Sequence, residues 1–467
     1  MRLSTRTPTP ATGAPAGRPE PPRAIGVRVV PVQTVLTGAM AAEALRGVSG
    51  SGRPLPLLAP ATGGTVAHVP ASTEADVAAA FAAARAAQPA WAALPVGERA
   101  RALADVHDLV LRRRDELTDL VQVVTGKARA DAFLEVAGVL QVARYHARRG
   151  PALLREQRRP GFVPVLSRAV VRRVPVGVVG NVPAWNYPLA FVLGDALPAL
   201  LAGNAVVTKP DLRSVLLAGA VANLLHEAGL PDGLFHVLAG DGAAVGEAVV
   251  DSSDHVLFTG SEAVGRQVAA RAAARLIGCT LELGGKNALY VAADADVPRA
   301  AAAAVRDCFG GAGQTCTSSE RLYVHAAVAQ QFREAFLARL SRVRLGWTRD
   351  HSADLGSLVS PEHLQRVLDH VQDARARGVR VLAGGRARPD LGPSFLEPTV
   401  LADVPPGARC LSEETFGPVV VLHEVTRAHV VLTQHGSLVS RLLDRSPSLR
   451  TRVLIATAHV MDRTGLP

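Results

Sequence analysis

A chain of 467 residues, 48% of them hydrophobic, is long enough to bury substantial cores and to form about two or three domains. Its net charge of +10 comes from basic residues scattered along the chain, and aromatic residues make up only 4%, so the composition argues against a nucleic-acid partner. The four cysteines show no paired spacing, which argues against a disulfide scaffold and fits a reducing cytoplasm.

The N-terminal region, residues 1–25, is proline-rich, carries no secretion-signal pattern and is predicted to be disordered. The longest apolar stretch begins at Tyr187 and is broken by Asp195 and Pro198. It predicts a buried helix followed by a strand rather than a membrane span. We therefore expect a cytoplasmic protein without a membrane partner.

Regular structure is predicted to begin with a β-hairpin over residues 57–72, where apolar and small polar residues alternate around a turn. A helix capped by Thr73 follows, and a second helix is predicted from Val96 to a stop at Gly126. Residues 158–175 are β-prone and charged, which is typical of an exposed arm.

From Val176 onward, short apolar strands alternate with helices, which predicts a parallel, doubly wound sheet. The predicted strands are residues 176–182, 205–210, 234–240 and 255–260. Ligands of such sheets bind beyond the carboxyl ends of the strands. A second α/β region is predicted from about Cys279 and contains the loop around Cys316.

Cys316 lies in the polar stretch GGAGQTCTSSERL. An isolated cysteine is more often a small buried hydrophobe, but this loop is a poor place to bury one, and a thiolate there could act as a nucleophile. Attack on an aldehyde would create an oxyanion that needs hydrogen-bond donors. The amide of Asn186, next to Trp185 and two prolines, is a rigid candidate, with the Cys316 N–H as its partner; without the other motifs Asn186 would be an ordinary turn asparagine.

Glu282 stands between two leucines on a predicted strand and is a candidate general base, because apolar neighbours raise the pKa of a carboxyl group. The alternative is a strand-end glutamate paired with an arginine. The following Gly284 lacks a side chain and would permit close approach by a ligand.

Gly260 and Ser261 are predicted at a helix N-terminus, which suits a pyrophosphate, although Gly-Ser is also an ordinary helix start and the GxGxxG fingerprint is missing. Lys209 ends a predicted strand and could reach a ribose or phosphate, or could simply be solvated. Only three of the 51 basic residues are lysines, namely Lys127, Lys209 and Lys286, and such a chain retains lysine where a compact ammonium is needed.

Taken together, PAWNYP, TKP, FTGS, ELGGK and GQTC occur in the order typical of the aldehyde dehydrogenase superfamily, and the chain resembles it from about Pro60 to Val420. The separation of Glu282 and Cys316 is typical as well. The resemblance implies an α/β fold with a variant Rossmann dinucleotide domain, an α/β catalytic domain and a β-arm for oligomerisation. The corresponding ranges are an NAD(P)-binding domain at 26–278 with its arm at 151–175, a catalytic domain at 279–420 and an atypical tail at 421–467.

The implied reaction oxidises an aldehyde to a carboxylic acid. Cys316 would form a thiohemiacetal, and Asn186 would hold its oxyanion while hydride passes to the nicotinamide. Glu282 would then activate water to hydrolyse the thioester. No metal is expected at the site.

The cofactor implied by the resemblance is NADP or NAD, with NADP slightly favoured. Members that prefer NAD often carry a glutamate three residues after the lysine of TKP, whereas this chain has Leu212 followed by the cation Arg213. The other implied contacts are made to the adenosine ribose, the phosphates, the nicotinamide ribose and the nicotinamide ring. All the predicted cofactor-binding residues are Trp185, Lys209, Arg213, Gly260, Ser261, Gly284, Glu414 and Phe416.

The predicted substrate is a small-molecule aldehyde, and the best match is succinate semialdehyde, because the stretches around Cys316 and Lys127 look like bacterial succinate-semialdehyde dehydrogenases. Well-defined members of that group carry an arginine six residues before the nucleophile, where this chain has Gly310. Either another arginine binds the carboxylate or the substrate lacks one. Two alternatives are a cofactor-binding relic without turnover and a CoA-acylating enzyme; Glu282 argues against the second.

After Val420 the sequence departs from the family pattern and ends several dozen residues early, which suggests a frameshifted or degenerate C-terminus. The expected consequences are an unpaired edge in the catalytic domain and an arm without its partner strand. The family resemblance implies a homo-oligomer, and the altered tail puts that assembly in question.

Overall fold

The structure is a computed structural model that describes residues 28–30, 38–163, 167–426 and 454–456. The strands in this part of the chain are β1 Arg28–Val30, β2 Val48–Ser49, β3 Pro54–Leu58, β4 Thr65–Pro70, β5 Gln157–Pro160, β6 Arg168–Val171, β7 Val178–Val182, β8 Ala205–Thr208, β9 Phe235–Leu238, β10 His255–Gly260, β11 Gly278–Leu283, β12 Asn287–Val291, β13 Ser319–His325, β14 Arg344–Gly346, β15 Arg380–Ala383, β16 Thr399–Ala402, β17 Val419–Val425 and β18 Leu454–Ala456.

The helices connect these strands and cover the sheets. They are α1 Gly38–Leu45, α2 Glu74–Ala93, α3 Val96–Arg112, α4 Arg114–Thr125, α5 Arg129–Leu154, α6 Ala196–Leu201, α7 Val215–Glu227, α8 Glu247–Ser252, α9 Glu262–Ala274, α10 Val297–Phe309, α11 Ala329–Leu340, α12 Pro361–Ala376 and α13 Arg409–Ser412. Among the described residues, none of these helices combines the length and the apolar character needed to cross a bilayer.

The first sheet has the strand order β11-β10-β7-β8-β9-β2, and every neighbouring pair is parallel. Its central strand β8 is buried along its whole length, as expected for a parallel sheet covered by helices on both faces. The four strands predicted after Val176 are all present. The predicted parallel, doubly wound sheet is therefore confirmed.

The boundary between the two α/β regions differs from the predicted one. Strand β11 pairs with β10 along its full length, so the residues after position 278 still belong to the first sheet. The chain leaves this sheet only at Gly284 and Gly285, where it crosses to the second sheet. The prediction separated these strands because the sequence signal shows a strand but not its pairing partner. As a result, Glu282 lies on the edge strand of the first sheet, close to the crossing.

The second sheet has the order β15-β16-β17-β13-β12-β18, with parallel strands in the centre and antiparallel pairs at both edges. The sequence predicted an unpaired edge here. Instead, the edge of β12 pairs with β18, from Leu454 to Ala456, so this prediction is wrong for that edge. The rest of the atypical tail, beyond residue 426, lies outside the described residues.

The N-terminal hairpin of β3 and β4 and the Thr73 cap of α2 are also confirmed. The long helix predicted from Val96 to Gly126 is two helices, because the backbone leaves the helical conformation at Arg113 (φ −95°, ψ 17°). The guanidinium of Arg113 binds Glu116 at 2.7 Å and Glu227 of α7 at 2.9 Å. The ion pair with Glu227 therefore links the junction between α3 and α4 to α7.

The predicted arm is a two-stranded antiparallel sheet of β5 and β6. Every residue of β6 is exposed, and Phe162 between the two strands is fully exposed. The prediction of disorder for residues 1–25 lies outside the described residues.

Candidate functional site

The loop that carries Cys316 follows α10 and begins with a tight turn at Gly310–Gly313. Gly313 has a φ of 70°, and a Cβ atom at this position would lie 2.2 Å from the carbonyl oxygen of Gly417. Only glycine therefore allows this loop to pack against the segment that precedes β17. The side chain of Gln314 holds the loop, because its amide donates to Gly311 at 3.1 Å and accepts from the N–H of Val359 at 2.9 Å.

Cys316 is the one exposed cysteine of the four. Its carbonyl oxygen accepts a hydrogen bond from Asn287 at 2.6 Å. Partial burial and the nearby carboxylate of Glu282 raise the pKa of its thiol, and backbone N–H groups at the loop oppose this shift only partly. The side chain is accessible to a ligand, and its thiol must lose a proton before it can act as a nucleophile.

Asn186 is buried, and its side-chain amide donates to the backbone carbonyl of Gln314 at 3.0 Å. The neighbouring Tyr187 makes a second contact with the same loop, since its hydroxyl lies 3.0 Å from the hydroxyl of Thr315. A primary amide carries two N–H groups, so one N–H of Asn186 remains for a ligand beside Cys316. The structure thus brings Asn186, which follows β7 of the first sheet, to the loop that carries Cys316.

Glu282 is exposed, and its charge acts on the thiol of Cys316. Burial alternates along β11, so Leu281 and Leu283 lie on the opposite face of the strand. The two leucines that flank Glu282 in the sequence therefore do not surround its carboxylate. The strand period explains the difference, because residues adjacent in a strand point in opposite directions.

Glu414 lies next to the crossing between the sheets. One oxygen of its carboxylate accepts from the N–H of Gly285 at 3.0 Å. A Cβ atom on Gly284 would lie 2.2 Å from the other oxygen. Gly284 therefore makes room for Glu414, and burial raises the pKa of this carboxyl group.

A buried ion pair holds the segment around Glu414 in place. The ammonium of Lys286 binds Glu320 and donates to the hydroxyl of Thr415 at 3.1 Å. Glu320 also accepts from the N–H groups of Thr415 at 2.9 Å and Phe416 at 2.8 Å. No role for Lys286 or Glu320 was predicted from the sequence, although the rarity of lysine singled out Lys286.

Trp185 and Phe416 meet edge to face, with ring centroids 5.5 Å apart. His363 contacts Trp185 at the same separation, and its Nε2 lies 2.7 Å from the carbonyl oxygen of Phe416. Burial lowers the pKa of His363 to about 4, so the ring is neutral at pH 7 and Nε2–H donates to this oxygen. Phe416 has a φ of 53°, and this hydrogen bond helps to hold its backbone.

The carboxyl ends of the first sheet carry groups that suit a phosphate or a ribose. Lys209 follows β8 and is only 6% exposed, and burial lowers the pKa of its ammonium. No hydrogen bond from that ammonium is found within the part of the chain that the structure describes. Ser261 caps α9 directly after Gly260, at the end of β10, and leaves the free N–H groups of a helix start beside it. This buried cation and helix start fit a dinucleotide.

Arg213, another predicted cofactor-binding residue, is paired with an acidic side chain. Its guanidinium makes two hydrogen bonds of 3.1 Å to the carboxylate of Asp211. The cofactor preference predicted from Leu212 and Arg213 did not take this acidic neighbour into account. A phosphate that binds Arg213 must compete with Asp211.

Helix α5 ties the two halves of the site together. The buried ammonium of Lys127 lies 2.7 Å from Glu135 and 3.3 Å from the centre of the Tyr187 ring. Glu135 accepts from the N–H of Leu189 at 2.7 Å, and Asp131 of the same helix accepts from the N–H of Gly311 at 2.9 Å. This network was not predicted from the sequence, although the rarity of lysine singled out Lys127.

Comparison with known proteins gives the same family throughout. The sequence pattern of the Aldehyde dehydrogenase family matches residues 48–434, somewhat past Val420. A protein of Mycolicibacterium smegmatis named "Putative succinate-semialdehyde dehydrogenase [NADP(+)]" is 48% identical over 364 residues, which are 78% of this chain and 70% of that protein. A Mycobacterium tuberculosis protein of the same name, numbered 2, is 46% identical over the same shares of both chains.

Solved structures of enzymes with the same fold also match this chain. The crystal structure of an E. coli NADP-dependent enzyme has a TM-score of 0.79 at 34% identity and covers 82% of this chain and 79% of its own. Succinate-semialdehyde dehydrogenase from Burkholderia pseudomallei has a TM-score of 0.79 at 33% identity, with the same coverage of both chains. An aldehyde dehydrogenase of Mycobacterium tuberculosis complexed with NAD+ has a TM-score of 0.78 at 34% identity and covers 83% of this chain and 80% of its own.

These matches confirm the fold and the oxidoreductase class that the motifs predicted. The chain belongs to the aldehyde dehydrogenase family, and it is an enzyme that acts on the aldehyde group of its substrate.

Proposed function

We propose that the enzyme oxidises succinate semialdehyde to succinate through a thioester on Cys316, with NADP preferred over NAD. The observation that carries the catalytic part is the hydrogen bond from Asn186 to Gln314, which sets an oxyanion donor beside an exposed cysteine. The substrate and the cofactor rest on the names of relatives at 48% and 46% identity.

In the first step, the sulfur of Cys316 bonds to the aldehyde carbon, and the carbonyl oxygen becomes an oxyanion. The second N–H of Asn186 and the backbone N–H of Cys316 donate to that oxygen. The thiol proton must leave before attack. Glu282 raises the pKa of the thiol through its charge, and the same closeness makes its carboxylate the natural acceptor of this proton.

The bound nicotinamide cofactor supplies the acceptor for the hydride that leaves the aldehyde carbon. Lys209 and the N-terminus of α9 at Ser261 would hold its adenosine and phosphate end, because they offer a buried cation and free N–H groups. Glu414 would accept hydrogen bonds from the ribose next to the nicotinamide. Trp185 and Phe416, which contact each other, would exclude water from the nicotinamide ring.

In the last step Glu282, which has released the thiol proton to solvent, takes one proton from a water molecule whose oxygen bonds to the acyl carbon. The carbon–sulfur bond then breaks and Cys316 leaves as the thiolate. The carboxylic acid product loses the second water proton to solvent and becomes a carboxylate. Asn186 holds the oxygen charge again during this step.

In this proposal, the dinucleotide-binding domain extends through β11, and the catalytic domain runs from the crossing at Gly284 to residue 420. The arm of β5 and β6 is the contact between copies in a homo-oligomer. Its exposed Val170 and Val171 and the exposed Phe162 give it an apolar surface.

The substrate assignment has one feature to test, because Gly310 stands where an arginine would bind the substrate carboxylate. We expect kcat/KM for succinate semialdehyde to exceed that for butanal, which has the same chain length and no carboxylate. The assay follows reduced nicotinamide with NADP and with NAD, and Cys316→Ala is the control without a nucleophile. A higher kcat/KM for butanal would overturn the substrate and leave the enzyme class intact.

A further inference from the structure

A cavity of about 400 Å³ lies on one face of the first sheet, between this face and the start of α6. Its polar lining includes Asp195, Glu282, Thr259, Thr280 and His255, and the remaining walls are mostly apolar. The cavity contains the carboxylate of the proposed base and a second carboxylate to which neither the family resemblance nor the proposed mechanism gives a role.

Asp195 stands between the turn at Ala190–Gly194 and α6, and it is half-buried. Its backbone N–H donates to Ala190, whereas its carboxylate has no hydrogen bond or ion pair within the described residues. Burial and the negative charge of Glu282 raise the pKa of Asp195 to about 7. Two carboxylates that line the same cavity resist double ionisation, so the charge of Glu282 makes Asp195 hold its proton more strongly.

The other titratable group in this cavity is His255, whose Nε2 lies 3.1 Å from the hydroxyl of Thr280. Burial lowers the pKa of His255, so it is neutral near pH 7. Neither lysine nor arginine lines the cavity among the described residues. Beyond the cavity, the charge of Glu282 acts on the thiol of Cys316. Asp195 is therefore the group beside Glu282 in this cavity whose carboxyl changes charge near pH 7.

We propose that Asp195 acts through Glu282 as the proton acceptor of the hydrolytic step, receiving across this cavity the proton that Glu282 takes from water. This inference rests on the proposed function. The water oxygen bonds to the acyl carbon, its proton passes to Glu282, and the carbon–sulfur bond breaks. The same proton then moves from Glu282 to ionised Asp195, directly or through water in the cavity, and from Asp195 to solvent. No oxidant or reductant takes part.

The sign of the pH dependence follows from the raised pKa of Asp195. Below about pH 7 Asp195 holds a proton and cannot accept another, and above it the carboxylate is ready. Hydrolysis of the acyl-enzyme should therefore accelerate as pH rises through about 7.

The test uses p-nitrophenyl acetate, which acylates a reactive cysteine without cofactor. The burst of nitrophenol reports acylation of Cys316, and the later steady rate reports hydrolysis of the thioester. Both are followed from pH 6 to pH 9 at the wavelength where nitrophenol and its anion absorb equally. Asp195→Asn should keep the burst, slow hydrolysis at pH 8 on the order of tenfold and lose the rise near pH 7. Asp195→Glu should keep the rise, and His255→Gln is the matched control that should leave it in place.

An unchanged steady rate and pH profile in Asp195→Asn would overturn this inference, and so would loss of the rise in His255→Gln. Absence of the burst in the wild-type enzyme would instead overturn the proposed function. If Asp195→Asn fails to fold, Asp195→Glu decides the question. Its longer carboxylate must shift the midpoint of the rise, and an unshifted midpoint contradicts the role of Asp195.

Discussion

Replacement of Lys127 by methionine should destabilise the enzyme far more than replacement of a surface cation. The side chains of Lys127 and Glu135 are 1% and 0% exposed, and their charged atoms lie 2.7 Å apart. Removal of one partner of a buried ion pair leaves an uncompensated charge and costs about 3–5 kcal/mol. The N–H of Leu189 still donates to Glu135 and offsets part of the loss, so the lower half of this range is expected.

The matched control is Arg266→Met, which removes an exposed pair with Glu262 one helical turn away. Such pairs contribute about 0.3–0.5 kcal/mol. Urea unfolding of both variants, followed by tryptophan fluorescence, should show a large shift of the midpoint for Lys127→Met and almost none for the control. The double variant Lys127→Met/Glu135→Gln should recover much of the loss, because it removes the unpaired charge. Equal midpoints for Lys127→Met and Arg266→Met would refute the reasoning.

Three further predictions concern the site. Lys286→Met should raise KM for the cofactor about tenfold with a smaller fall in kcat, because the segment next to Glu414 loses its contact with the ammonium. Steady-state kinetics with varied NADP measures this change, and an unchanged KM would contradict the prediction. Asp211→Asn should increase the ratio of kcat/KM for NADP to that for NAD several-fold, since the carboxylate that competes with the 2′-phosphate for Arg213 is removed. An unchanged ratio would count against a 2′-phosphate at this position. Glu282→Gln should lower the pKa of the Cys316 thiol, so its alkylation by iodoacetamide at pH 7.5 should become faster. An equal or slower rate would show that the charge of Glu282 does not raise the pKa of this thiol.

The strands and the loops at their carboxyl ends could be predicted because both depend on local sequence. Short apolar runs that end in turn residues identify β7, β8 and β10, and the residues proposed to bind the cofactor and the oxyanion follow these strands. Family motifs then identified Cys316 and Asn186, and in the structure the side chain of Asn186 contacts the loop that carries Cys316.

What could not be predicted depends on long-range pairing and on side-chain direction. The sequence shows that residues 278–283 form a strand but not that this strand joins the first sheet. The leucines beside Glu282 suggested an apolar environment, whereas the period of a strand points them away from it. Asp195 appeared only as a break in an apolar stretch, because its closeness to Glu282 arises from the packing of α6 against the sheet.

The ion pairs of the lysines illustrate the same limit. Composition singled out Lys127 and Lys286, but their partners Glu135 and Glu320 are ordinary glutamates in the sequence. Only the folded chain shows that Lys127 lies against Tyr187, which contacts the Cys316 loop, and that Lys286 binds the segment next to Glu414.

The central claim is that Cys316 carries the acyl group and that Glu282 removes it. The most direct measurement is the intact mass of Glu282→Gln after reaction with succinate semialdehyde and NADP and an acid quench. We expect one succinyl group per chain, mapped by peptide digestion to Cys316 and absent from Cys316→Ala/Glu282→Gln. An enzyme that forms reduced nicotinamide without any acyl group on Cys316 would contradict the account.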